Sequence, residues 1–413
     1  MESLQASELL KKGFEHSFIT YPQEKPLKIN EQKKALIIGV PKETHNQEMR
    51  VALSPSAVGV LVANGHQVVV EHNAGINAEF SDQDYSNKGA VIAYTQEEVY
   101  HRATILTKIN PLESDELHLL QPNQVLFSAV HLGNVKPDYL KLLIQKNISA
   151  IGFEFLQAND GSFPIMRSMS EIAGITSIHI AAELLSRHTG GNGLLLGGIT
   201  GIPPAVVTII GAGTVGYHAC KTAFALGATV KVIDDEIHQL QRLEEIMGTK
   251  IYTVISQQDY IEEAVISADV VIGATYKGGH RSPCVVTEDM VTKMRDGSVI
   301  VDVSIDQGGC VETSRITTHE NPTFEKHGVI HYCVPNIASR VSRTASVAIS
   351  NILSPILLKI GDSGGIQNLI GRDPSFKTGI YVYQRHITQR SLANMFNMDF
   401  MDIDLLYSAN IYS

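Results

Sequence analysis

The feature that most narrows what this chain can fold into is a junction. The apolar run AVVTII (Ala205–Ile210) passes without a break into Gly211-Ala-Gly213-Thr214-Val215-Gly216, and a helix-like segment follows. Glycines at these three places permit a tight turn, close approach of the backbone to a ligand, and close packing of the following helix on its strand. The helix N-terminus supplies oriented N–H dipoles suited to a pyrophosphate. The next β-like run, TVKVI, ends at Asp234, about 20 residues past the glycines, where a carboxylate can accept both ribose hydroxyls of a dinucleotide. Strand, glycine turn, helix, strand and acid in that order predict a Rossmann-type unit. Gly211, Gly213, Thr214, Val215, Gly216 and Asp234 are the cofactor-binding candidates. An acid at that position repels a 2′-phosphate, so NAD is expected rather than NADP. Asp235 follows directly, and either carboxylate can face the ribose.

The same alternation of short apolar runs and amphipathic segments starts at Ala35 (ALIIGV, QVVVEH, QVLFSAV, ISAIGFE) and resumes after the fingerprint (DVVIGAT, SVIVDVS, VIHYCV). Fully apolar runs of this length separated by helices indicate parallel sheets covered on both faces. The expected fold is therefore α/β, with two Rossmann-like, doubly wound parallel-sheet domains separated by a cleft. A helix opening at Ser170, with Glu171 in its first turn, is expected to bridge them. The expected boundaries are an N-terminal extension at 1–34, a discontinuous substrate domain at 35–165 plus 343–413, and a nucleotide domain at 166–342. The last third reads as a helix and a polar tail with no strand series of its own.

Composition excludes several function classes. With 43 acidic against 33 basic side chains, the net charge of −10 offers no basic field for nucleic acid or an anionic membrane. Leu194–Tyr217 carries no charged side chain over a length sufficient to span a bilayer, but Pro203, Pro204 and flanking glycines make it a buried strand entering a turn. The four cysteines form no CxxC pair, so a reducing compartment and no metal are expected. The N-terminal segment has neither the apolar core of a secretory signal nor the arginine-rich character of a transit peptide, which points to the cytoplasm.

Four polar residues stand at predicted strand ends, where open α/β sheets place their ligands: Arg50, Lys108, His131 and Asp306. Taken singly each has an ordinary explanation as a solvated charge, a strand-end histidine or a turn former. Their surrounding words, however, resemble the alanine dehydrogenase family, which shares its fold with the NAD-binding part of proton-translocating transhydrogenases. These words are GVPKETHNQEMRVALSP (39–55), SAVHL (128–132), MSEIAG (169–174), GGITGIPPAVVTIIGAGTVG (197–216) and VDVSIDQGGCVETSRITTHENPTF (301–324).

The resemblance implies reversible, NAD-dependent oxidative deamination of L-alanine to pyruvate and ammonium by a homo-oligomer, commonly a hexamer. It implies that Arg50 binds the substrate carboxylate and that His131 and Asp306 exchange protons, Asp306 also approaching the cofactor. A lysine of the family polarises the substrate. Here the word is TKINP where the family has one like KVKEP, so carrying that role to Lys108 requires a one-residue shift, which a local bulge can supply. By the same resemblance Ser170 approaches the cofactor phosphate and Asn336 the substrate and nicotinamide, with Glu154 and Gln157 near the cleft. Three other readings fit the same words: a transhydrogenase-like subunit, a dehydrogenase of another amino acid, and an NAD-binding regulator without turnover.

Overall fold

The structure is a computed structural model describing residues 33–411, apart from 46, 134, 279 and 280. Nearly all of the expected N-terminal extension lies outside the described residues. Six short strands open the first sheet: β1 (Ile37–Val40), β2 (Gln67–Glu71), β3 (Val91–Ala93), β4 (Ile105–Thr107), β5 (Val125–Ser128) and β6 (Ser149–Gly152). The second sheet contains β7 (Val206–Ile210), β8 (Thr229–Asp234), β9 (Tyr252–Ile255), β10 (Val270–Gly273), β11 (Val299–Asp302), β12 (Thr323–Lys326) and β13 (Val329–Tyr332). Strands β5, β10, β11 and β13 are buried at every residue, as expected where helices cover both faces.

Both sheets wind alike. The first runs β3-β2-β1-β4-β5-β6 and the second β9-β8-β7-β10-β11-β13, in each case the doubly wound order that reverses direction once. The reversals fall between β1 and β4 and between β7 and β10, and crevices at such points are where ligands bind. One correction concerns the tail. Ile380-Tyr-Val-Tyr383 forms β14, pairs antiparallel with β6, and turns back as β15 (His386–Ile387). Four consecutive buried residues with β-branched and aromatic side chains make a strand even in a polar neighbourhood.

Two long helices join the sheets. The bridging helix spans Pro164–Leu184, with proline in its first turn, where a missing N–H costs nothing. Ser170 therefore lies well inside it, a correction to the expected cap. Gly174, one turn on along the same face, is where this helix crosses the fingerprint helix Thr214–Ala225; a Cβ there would stand 2.4 Å from the Val215 carbonyl oxygen. The return helix, Ser342–Asp362, lies against the first sheet's core through Ile349, Leu353, Leu357 and Ile360. Its serine stripe supplies partners for a buried loop: Ser346 Oγ accepts from Val51 N at 2.9 Å and Ser350 Oγ from Ser54 N at 2.7 Å. Buried backbone donors need such partners, and this pair fixes the segment that carries Arg50.

The span Ile337–Asp362 is long and apolar enough to cross a membrane, but half of its most apolar window is buried inside the protein. Leu194–Tyr217 is not a continuous helix; it holds β7 and the glycine turn.

Candidate functional site

On the second sheet the three fingerprint glycines divide their work. Gly211 has φ 110°, and a Cβ on it would meet the Ala274 carbonyl at 2.3 Å; on Gly216 it would lie 1.8 Å from the Gly211 oxygen. A Cβ on Gly213 meets nothing within 4 Å, so this residue faces open space at the mouth of the turn. Gly213 also caps the helix that begins at Thr214 and Val215 without a side-chain acceptor, leaving first-turn N–H groups directed at that space. These features fit a bound pyrophosphate. Ser170, half-buried, is four residues before Gly174 on the face that meets this turn.

The two adjacent acids differ. Asp234 accepts from Ala212 N (2.6 Å) and Glu236 N (2.8 Å), one bond on each oxygen, and so closes the turn while lone pairs remain for ribose hydroxyls. Asp235 is exposed and pairs with Lys277 from the loop after β10, whose hydrogen bond, with its charge, holds the carboxyl below the usual range.

The facing wall is built from the loops after β1, β5 and β6. Arg50 is buried beside Glu48. Its Nε donates to Oε1 and its Nη2 to Oε2, both at 2.7 Å, and its Nη1 lies 3.3 Å from Met169 Sδ. Burial pushes the Glu48 carboxyl up, but the Arg50 charge and hydrogen bonds outweigh it and hold the group below the usual range. Glu48 also accepts from Asn336 Nδ2 at 2.8 Å, across from the end of β13. The backbone N–H of Asn336 donates to Asp306 Oδ1 at 2.8 Å. Asn336 adopts φ 55° and His131 φ 52°, left-handed conformations that Asn and His tolerate better than most residues.

His131 is aimed by Glu154, whose carboxylate accepts from Val130 N and His131 N at 2.9 Å. Surrounding protein strips water from the imidazole and lowers its pKa; Glu154, Asp306 and Glu48 oppose that, while Arg50 adds to it. The Asp306 side chain opens into the cleft, yet loss of water on its protein side raises its carboxyl, against the Asn336 N–H and the charges of His131 and Arg50. Arg50, His131 and Asp306 thus share one electrostatic neighbourhood, although they come from three loops and two sheets. Among the described residues no group of His, Cys, Asp and Glu has metal-holding geometry.

Lys108 does not join them. Its side chain is 1% exposed and its Nζ donates to Glu116, with Glu43 at 3.7 Å. The β4–β5 ladder is regular, and Lys108 N and Ile109 O continue it with Phe127 O and Ala129 N, so no bulge re-aims the side chain. Strand side chains alternate, and a shift of one residue sends the side chain through the sheet. Lys108 has the parity of Leu106 and points into the helix layer that holds Glu116; Ile109 has the opposite parity and joins the other core, with Val51, Leu53 and Phe153. Gln157 also lies elsewhere, lining a pocket with Leu156, Ile352, Ile356 and Phe376. Glu48 was not singled out from the sequence. The signal available was an acid two residues before the key arginine in an extended segment, a spacing that puts both side chains on one side.

A nucleotide-binding turn on one sheet facing a buried arginine, a histidine and an aspartate on loops of both sheets defines a two-lobed α/β protein with a Rossmann-type nucleotide fold and a small polar cleft. Comparison with known proteins narrows the class. The family described as "Alanine dehydrogenase/PNT, N-terminal domain" matches residues 39–173, and its C-terminal counterpart matches 177–390. The chain belongs to this alanine dehydrogenase/PNT family. The C-terminal match runs past β14 and β15, which pair with the first sheet, so the sequence halves are not identical with the sheets. The chain is 40% identical over 368 residues to an alanine dehydrogenase of Staphylococcus epidermidis, covering 89% of this chain and 98% of that protein. An alanine dehydrogenase of Methanococcus maripaludis is 40% identical over 366 residues, covering 88% and 98%. A solved L-alanine dehydrogenase superposes with a TM-score of 0.82 at 39% identity, over 88% of this chain and 99% of that one. The transhydrogenase of Sinorhizobium meliloti, with a TM-score of 0.73 at 22% identity over 86% and 99%, shares the fold.

Proposed function

We propose that the protein is an NAD-dependent L-alanine dehydrogenase that interconverts L-alanine with pyruvate and ammonium. The observation that carries this reading is the convergence of Arg50, His131 and Asp306 on the cleft that the glycine turn opens into. NAD would be held by Gly211, Gly213 and Gly216, the N–H groups of Thr214 and Val215, Ser170, and Asp234 or Asp235, and when bound it supplies the acceptor for the substrate's α-hydride. Arg50 holds the substrate carboxylate through the guanidinium edge left by Glu48. His131, kept neutral by loss of water, takes the proton that the α-ammonium must shed and passes it to solvent; neutral again, it takes the proton of the water that attacks the imine carbon and returns it to the departing amine. Asp306 balances the positive charge that His131 then carries.

The lysine role implied by the family resemblance is not assigned to Lys108; in its absence, Arg50 supplies the fixed positive charge beside the substrate, and His131 becomes cationic only when it takes a proton. The substrate unit comprises residues 35–165 plus 343–413 and the NAD unit 166–342, a division supported by the return of β14 and β15 to the first sheet. The enzyme works in the cytoplasm as a homo-oligomer, a hexamer by family resemblance. The test is the absorbance of reduced cofactor formed from L-alanine with NAD or NADP at alkaline pH, beside a panel of other amino acids. Turnover with alanine and NAD is expected. Binding of NAD without turnover of any amino acid would instead leave a transhydrogenase-like or regulatory protein.

A further inference from the structure

We infer that Glu48 is a positioning residue that ties the substrate anchor to the proton-handling aspartate, one buried carboxylate fixing both the Arg50 fork and the Asn336 side chain. The inference rests on the proposed activity and deepens it.

Three observations carry it. The first is which donors of Arg50 remain free. A guanidinium has five N–H donors in a rigid plane, and Glu48 occupies the edge formed by Nε and Nη2. What is left toward a ligand is the end-on edge, Nη1 with the second hydrogen of Nη2; the partner of Nη1 is the weak acceptor Met169 Sδ at 3.3 Å, so Glu48 selects the edge that meets the substrate carboxylate and prevents rotation of the fork. Second, Glu48 is 2% exposed and its lone pairs are nearly all used: besides the fork it accepts from Arg50 N at 3.0 Å, Asn336 Nδ2 at 2.8 Å and Ser339 Oγ at 3.4 Å. Arg50 sits on a loop of the first sheet, whereas Asn336 and Ser339 follow β13 of the second. Third, Asn336 passes the connection on, because its backbone N–H is the donor on Asp306 Oδ1 and its left-handed backbone aims both groups at once. Arg50, Glu48, Asn336 and Asp306 form one unbroken chain of hydrogen bonds from carboxylate anchor to proton-handling group.

The consequence is a defined pattern in Glu48→Gln. An amide keeps the volume but offers one acceptor in place of two oxygens, so the fork loosens. The KM for L-alanine is expected to rise about tenfold or more, while the KM for NAD stays within about twofold, since the glycine turn is untouched. The acid limb of kcat/KM is expected to move to lower pH. His131 is faced by Glu154 from the loop after β6, by Asp306 from the loop after β11, and by Arg50 and Glu48 from the loop after β1. Removing the Glu48 charge withdraws support for the protonated imidazole and leaves Arg50 less compensated, and both changes act in the same direction.

The experiment is steady-state kinetics on the full-length protein across pH, for wild type, Glu48→Gln and Asn336→Gly. Asn336→Gly tolerates the left-handed backbone, keeps the N–H on Asp306 and removes the side-chain amide, and with it the Nδ2 bond to Glu48. It is expected to raise the alanine KM about two- to fivefold with the acid limb unmoved, because the Glu48 charge remains. An unchanged alanine KM and pH profile in Glu48→Gln would overturn the inference, as would an NAD KM that rises in step with that for alanine, the mark of general loosening. If Glu48→Gln yields no folded protein, Asn336→Gly decides, and an unchanged alanine KM there has the same force. Wild-type turnover separates this inference from the reading beneath it: a wild type that neither turns over alanine nor binds pyruvate with NADH overturns both.

Discussion

Two buried cation–carboxylate clusters follow neighbouring strands of the first sheet, Arg50 in the loop after β1 and Lys108 directly after β4, and only one of them faces the cleft. Arg50 with Glu48 and Lys108 with Glu116 and Glu43 are equally hidden from solvent. They differ in unfilled donor capacity. Glu48 takes one edge of a guanidinium and leaves the other with only a weak thioether acceptor, Met169 Sδ, whereas Lys108 is directed into the helix layer, its ammonium held by Glu116 with Glu43 alongside. A buried charge is therefore no indication of function by itself; donors still open to the cleft are. The Glu43 cluster shows what burial does when the charges do not balance: desolvation pushes its carboxyl up to about 7 despite Lys108 nearby, with Glu48 and Glu116 adding to the rise.

The largest effect expected from this contrast is on stability. Lys108→Met strands Glu116 without its cation in a buried layer, and removing one partner of a buried pair costs about 3–5 kcal/mol. Denaturant unfolding should show that loss, while kcat/KM of the protein that remains folded stays within about twofold of wild type. A hundredfold fall in kcat/KM with unchanged stability would return Lys108 to the chemistry. Arg50→Lys is expected to do the reverse. A point charge reproduces neither the grip on Glu48 nor the end-on edge, so kcat/KM for alanine should drop by a factor of about 30 to 100, or ~2–3 kcal/mol, with a smaller change in unfolding free energy.

How far the sequence could be read follows the same division. The fingerprint was legible because all its parts are local: Val206–Ile210, the three glycines and Asp234 lie within one βαβ unit, and each residue type is dictated by backbone geometry. The parallel sheets covered on both faces were legible from runs such as VLFS and VIVD, which no half-exposed strand would carry. The facing wall was legible only in its individual members. Nothing in the spacing of Glu48, Asn336 and Asp306 says that they share hydrogen bonds across 288 and 30 residues. Lys108 was misdirected because a word match tolerates a one-residue shift and a strand does not. Ser170 before Glu171 has the pattern of a frequent helix start, but Pro164 begins the helix six residues earlier, so the serine falls inside it.

A smaller effect, on pH dependence, sharpens the contrast from the sealed side. The folded-state value of Glu43, about 7, lies above the ordinary glutamate value near 4.5 that the unfolded chain shows, so the native protein binds the extra proton. The stability that this group contributes is thus fully present below about pH 4.5 and is lost as pH rises through about 7. Glu43→Gln should flatten that slope in thermal melts taken across the window, with its amide oxygen still able to accept from Ile109 N. An unchanged slope would mean that Glu43 is ionised throughout and balanced by Lys108.

Which cation meets the substrate is seen most directly in a crystal structure of the protein with NADH and pyruvate. It should show the pyruvate carboxylate on the Nη1–Nη2 edge of Arg50, the keto group beside His131, and Lys108 still on Glu116. A Lys108 ammonium withdrawn from Glu116 and resting on the pyruvate oxygen would contradict it.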